Sequence, residues 1–191
     1  MTPSARNRDR REGAAIAEYR KALELDREFA PAHWHLGWAY LQARRFDEGI
    51  AEAQKALALD DGNLLYLASV GHAYACAGKE SEAGAILARL AQASTSRHVS
   101  AYHVAAVHVA LGDTVAGLNW LDRAYDEQSP WIGYLAVDPR LASVRLNPRF
   151  RSLLARAHLD HRSDAGPRKP TLARPSSLVR APKPEASPPP R

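Results

Sequence analysis

A recurrence at a spacing of 34 residues constrains this 191-residue chain more than any other feature. Gly37 returns as Gly71, Ala39 as Ala73 and Tyr40 as Tyr74. Ile16 returns as Ile50, Ala22 as Ala56, Leu23 as Leu57, Asp26 as Asp60 and Gly78 as Gly112. Self-similarity at a fixed period of this length marks a solenoid of helical hairpins, in which each unit buries its apolar face by stacking on its neighbours. The predicted fold class is therefore all-α. Such scaffolds carry function on a surface that varies, so the pattern specifies architecture without specifying a partner.

The stretch from His33 to Asp60 supplies Trp34, Leu36, Gly37, Tyr40, Phe46, Gly49, Ala56 and Leu57 at characteristic places. In these residues the chain resembles the tetratricopeptide repeat, with Gly at residue 49 where that family prefers Ala. The resemblance continues through Val70, Gly71, Tyr74, Gly78, Ala83 and Leu90, then Val104, Ala105, His108, Gly112, Gly117 and Ala124, and fades toward the C-terminus. It implies a right-handed superhelical solenoid of helix-turn-helix hairpins: a half repeat over 9–29, then repeats over 30–62, 63–96 and 97–128.

Physical reasoning reaches the same hairpins. Turn chemistry at Asp60-Asp61-Gly62-Asn63, Ala77-Gly78-Lys79 and Leu111-Gly112-Asp113 stops one helix and caps the next. Helices are expected near 9–26, 30–43, 46–59, 63–77, 80–93, 99–111 and 114–128, with residues 1–8 disordered. Gly37, Gly71 and Ala105 fall where first helices approach Ala15, Gly49, Ala83 and Gly117 of second helices. A helical glycine costs about 1 kcal/mol relative to alanine, so close packing put them there. If the site can hold a methyl group, Gly49→Ala is expected to stabilise by about 0.5–1 kcal/mol.

The first helix aligns with the second helix of a repeat, and its Ala14, Ala15, Ile16, Ala17 and Tyr19 are more apolar than a terminal cap requires. Either an upstream partner helix is missing, which is the favoured expectation, or the solenoid begins with an unpartnered helix whose inner face is open. After Gln128 the period ends. Asp138-Pro139 and Asn147-Pro148 each read as an N-cap followed by proline at the first helical position. They predict capping helices within 129–160, near 139–145 and 148–159, whose Leu141, Val144, Leu146, Phe150, Leu153 and Leu154 cover the last hairpin. The run from Ser129 to Leu159 resembles the closing segment of tetratricopeptide arrays at the C-termini of bacterial multidomain signalling proteins, which include serine/threonine kinases, nucleotide cyclases and winged-helix regulators.

Residues 161–191 hold seven Lys/Arg against two acids, which accounts for the whole formal charge of +5, and eight of the 13 prolines. The composition predicts a disordered, partly polyproline II tail, read first as a solubilising spacer, with an electrostatic anchor to an anionic surface or a Pro-rich ligand through Pro167-Arg168-Lys169-Pro170 as alternatives. The preceding residues are neutral, and the tail has no aromatic residue for base stacking, so nucleic acid is not the expected partner. No apolar run approaches the length of a membrane span. A single cysteine excludes an internal disulfide, and the expected setting is cytoplasmic.

In the resembling family the first helix of each hairpin lines a concave groove. Here the groove-facing positions are Trp34, Trp38, Leu41 and Gln42, then His72 and Cys76, then Tyr102 and Ala106. None carries the Lys, Asn or Arg with which family members grip C-terminal carboxylates, so the expected ligand is an amphipathic helix or extended apolar peptide. Trp34 and Trp38 are either its anchors, facing an empty groove, or core residues packed on a neighbouring unit. His72 and Cys76 share a helix face at i and i+4, but two ligands do not make a metal site. His33, His35, His98 and His158 are expected to face solvent or cap helix ends. No catalytic constellation and no cofactor motif is present. Two functional readings follow: a protein-interaction scaffold or adaptor of a signalling system, or the truncated C-terminal array of a larger kinase, cyclase or winged-helix protein. Oligomeric state is left open.

Overall fold

The computed structural model describes residues 3–160, with side chains described from residue 13. The tail expected to be disordered, 161–191, lies outside the described residues. Eight α-helices run in chain order: α1 Pro3–Leu25, α2 Ala30–Gln42, α3 Phe46–Leu59, α4 Leu64–Cys76, α5 Glu80–Ala93, α6 Ala101–Ala110, α7 Thr114–Asp126 and α8 Pro148–Arg156. Two 3-10 helices, Pro130–Tyr134 and Pro139–Val144, lie between α7 and α8. The described residues contain no strand. Consecutive helices pack on one another as in a tetratricopeptide solenoid, with α2, α4 and α6 stacked as an inner row.

The hairpin turns repeat one backbone device. Arg44, Gly78 and Gly112, each 34 residues apart, all have positive φ. The next residue in each case, Arg45, Lys79 or Asp113, donates its N–H five residues back, to the carbonyls of Tyr40, Tyr74 and His108 at 2.9, 2.9 and 3.0 Å. This is the Schellman closure, whose left-handed residue is normally glycine. The first repeat makes it with arginine, at φ 59°.

Glycine also sets the closeness of the hairpins. A Cβ on Gly37 would lie 3.1 Å from both the Ala53 nitrogen and the Gly49 carbonyl oxygen. On Gly49 it would lie 2.6 Å from Leu41 Cδ2 and 2.8 Å from Leu41 Cγ. The methyl group expected to fit at Gly49 therefore does so only if Leu41 moves. The reason is that the Leu41 side chain of α2 packs directly over Gly49, and the Gly37 carbonyl oxygen also stands 3.2 Å from the added Cβ.

The C-terminal elements depart most from expectation. Asp138 and Asn147 cap as anticipated, accepting from the N–H groups of Arg140 and Arg149 at 2.9 Å each. The element after Asp138 is a short 3-10 helix, and a second one after Ser129 was not foreseen. Leu135, Leu141, Val144, Phe150 and Leu153 are fully buried together with Leu118, Leu121 and Ala124 of α7 and Tyr102 of α6. Each such side chain contributes about 1.5–3 kcal/mol of burial, so this segment is a fixed part of the fold. Leu146, expected on the covering face, is 78% exposed, because it sits in the turn between the second 3-10 helix and α8. α8 is also pinned to α7 by ion pairs of Arg149 and Arg156 with Asp122, at 2.6 and 2.8 Å.

Candidate functional site

The segment from Ser129 to Arg145 crosses the inner row of helices like a strap. Trp131 is its forward contact: its ring lies 4.8 Å from the His103 ring and 6.3 Å from the Trp34 ring, edge to face in both cases, and 6.5 Å from Tyr102. Such arrangements suit the quadrupoles of aromatic rings. At the other end of the strap, Tyr102 donates its hydroxyl hydrogen to Asp138 Oδ2 at 2.8 Å. Arg140 forms an ion pair with the same carboxylate at 2.7 Å, and its guanidinium stands 5.5 Å from the Tyr102 ring centre and 5.7 Å from that of Trp38.

Burial and this ion pair together set the protonation of the groove. The His72 and His103 imidazoles are lowered to about 3, first by burial and then by the positive charge of Arg140, so both are neutral at pH 7. Burial alone would raise the Asp138 carboxyl. The hydrogen bonds and charge of Arg140, helped by the Tyr102 hydroxyl, outweigh it and hold Asp138 below its ordinary value. Burial pushes the Cys76 thiol up to about 11, partly opposed by Arg140. Cys76 is thus a poor nucleophile at neutral pH. Its sulfur is 3.6 Å from His72 Nε2, and among the described residues no group of three or more His, Cys, Asp and Glu could hold a metal ion.

The eight anticipated groove residues separate into two sets. Tyr102 and Ala106 have no exposed surface, so the α6 end of the groove is closed to a partner by the chain's own strap. His72 is buried as well, and Cys76 is half-buried behind it. Leu41 is likewise buried, and Trp34, Trp38 and Gln42 remain half-buried toward the open end. Trp34 does not face an empty groove: its indole N–H donates to Ser69 Oγ at 2.8 Å, and its ring lies 6.0 Å from Tyr66. Neither was foreseeable from helical spacing, because Ser69 and Tyr66 belong to the next repeat and Trp131 to the strap. His33, expected to face solvent or cap a helix end, is buried, with Nδ1 against Glu52 and Nε2 at 2.9 Å from the carbonyl oxygen of Arg27, just past the end of α1.

Between the strap and helices α2 and α4 lies an apolar chamber of about 350 Å³. Trp34, Trp38, Leu41, Ala68 and His72 form its inner wall, and Trp131, Tyr134, Val137 and Arg140 its outer wall. A shallower trough of about 260 Å³ adjoins it on the α1 side, lined by Ala15, Tyr19, His35, Trp38, Ala39, Gln42 and Pro139.

Residues 13–43 match a family model described as a TPR repeat, and residues 30–63 match one described as a tetratricopeptide repeat. The chain carries tetratricopeptide repeats, a class of repeat that generally serves as a protein–protein interaction module. No curated protein matches it. Among the described residues, no helix is long and apolar enough to cross a membrane.

Proposed function

We propose that the chain is a non-catalytic protein-interaction module that holds a short helix or extended segment of a partner protein in the trough between α1, α2 and the strap. The observation that carries this reading is the division of the concave face. The α6 end is filled by Trp131 and Tyr102, whereas the trough keeps half-buried apolar side chains, Tyr19, Trp38 and Ala39, beside the hydrogen-bonding side chain of Gln42. An apolar anchor with a polar rim is what a peptide site needs. Selection of peptides on the full chain tests it. Selected peptides should be apolar on one face and lose at least tenfold affinity with Ala39→Arg, while Val115→Arg on α7, away from the trough, leaves them unchanged. Equal loss with both substitutions, or with neither, refutes the assignment.

The likeness of the Ser129–Leu159 run to the closing segment of signalling arrays supports a role in bacterial signalling or regulation, as a cytoplasmic adaptor or as the array of a larger kinase, cyclase or winged-helix protein. Co-purification with such a domain through a contact that Ala39→Arg abolishes tests this placement.

A further inference from the structure

We propose that the chamber behind Trp38 is a binding site for a small, uncharged aromatic molecule of one or two fused rings, distinct from the peptide trough beside it. Size is the first argument: about 350 Å³ lies at the lower end of the range for ligand pockets, roughly 300–1,000 Å³. Shape is the second. The strap is anchored by the fully buried Leu135, Leu141 and Val144, and Trp131 blocks passage toward α6. A polypeptide cannot run through the chamber, but a compact molecule can enter it.

Charge decides the class of guest. Among the described residues, the only ion pair in the wall is Asp138 with Arg140, and each neutralises the other. The Asp138 oxygens also accept from the Tyr102 hydroxyl and the Arg140 backbone N–H, which leaves no free charge to compensate a carboxylate or an ammonium. The walls instead offer indole and phenol rings from Trp34, Trp38 and Tyr134, the kind of surface on which a flat ring stacks or meets edge to face. Two lining residues carry buried nitrogens without a hydrogen-bond partner: Trp38 through Nε1 and His103, itself 2% exposed, through Nε2. Both nitrogens are themselves covered, so contact with the guest falls to the ring surfaces rather than to these atoms.

The probe is 2-naphthol, titrated calorimetrically into the full chain at pH 7, with 2-naphthoate as the charged comparator. Saturable 1:1 binding of 2-naphthol is expected, at least tenfold tighter than that of 2-naphthoate. Two substitutions fill the chamber from opposite sides: Ala68→Leu from the inner wall, and Val137→Trp from the strap, where the side chain is 63% exposed and the fold tolerates change. Thermal melts identify the variants that remain folded, and at least a tenfold loss of 2-naphthol affinity is expected in those. Ala39→Arg, which obstructs the trough alone, should leave that affinity within twofold. Absence of saturable binding, unchanged affinity in the folded filling variants, equal or tighter binding of 2-naphthoate, or loss with Ala39→Arg would each overturn the assignment.

Discussion

Replacing the two glycines where α2 meets α3 separates helix propensity from close packing. Either Gly→Ala change should gain about 1 kcal/mol from helix propensity and from reduced freedom of the unfolded chain. The steric terms differ. At Gly37 the new methyl lies 3.1 Å from two backbone atoms, the Ala53 nitrogen and the Gly49 oxygen, and 3.4 Å from Glu52 Cβ. Backbone cannot rotate away, so the helices must separate by a few tenths of an ångström along their length. Overpacking of this kind costs typically about 1–3 kcal/mol, which leaves Gly37→Ala net destabilised by about 1 kcal/mol. At Gly49 the two nearest atoms belong to the Leu41 side chain, which lines the chamber and can shift toward it, and the one backbone atom in reach, the Gly37 carbonyl oxygen, is farther away, at 3.2 Å. Gly49→Ala should therefore stay within about 0.5 kcal/mol of the parent, because the propensity gain offsets a side-chain rearrangement. Urea unfolding of the full chain, comparing midpoints at a common slope, measures both. A Gly37→Ala chain as stable as the parent, or a Gly49→Ala chain less stable than Gly37→Ala, refutes the reasoning.

Three further outcomes follow from the same geometry. Arg44→Gly should stabilise the chain by about 1 kcal/mol in urea unfolding, because it restores glycine at a left-handed position where an L-side chain is strained. Tyr102→Phe should cost about 1.5–3 kcal/mol by removing a buried hydrogen bond to a carboxylate, and the loss should shrink when Asp138→Asn is also present, which a double-mutant cycle reads. Stability should fall on acidification. His72 and His103 have folded values near 3 against an ordinary 6.5, so the unfolded chain binds more protons between those limits. Each histidine removes up to about 1.4 kcal/mol per pH unit below 6.5. Equal unfolding midpoints at pH 7 and pH 4.5 would contradict their burial as neutral rings.

The helices were legible in the sequence because their signals are local. Asp60 to Asn63, Gly78 and Gly112 terminate helices, and Asp138-Pro139 and Asn147-Pro148 start new elements, so the ends of α2 to α7 fall within about two residues of expectation. α1 begins earlier than foreseen, at Pro3. The strap was only half legible. Its caps and leucines announced a cover for the last hairpin, but nothing in Pro130-Trp131 states which surface the ring will meet. That pairing with Trp34, Tyr102 and His103 is long-range, and it turns an anticipated open groove into a chamber and a trough. The burial of His33 is not legible for a related reason: Glu52, which satisfies it, lies one helix away at a register that composition does not reveal.

The central claim is that the strap occupies the concave face of the repeats. Nuclear Overhauser contacts from the Trp131 indole of the full-length chain test it most directly. The structure predicts cross-peaks from the Trp131 ring protons to those of both Trp34 and His103, whose ring centres lie 6.3 and 4.8 Å away with adjoining edges closer. Their absence, with Trp131 showing contacts only within residues 129–135, would mean that the strap stands away from the repeats and that the groove is open along its whole length.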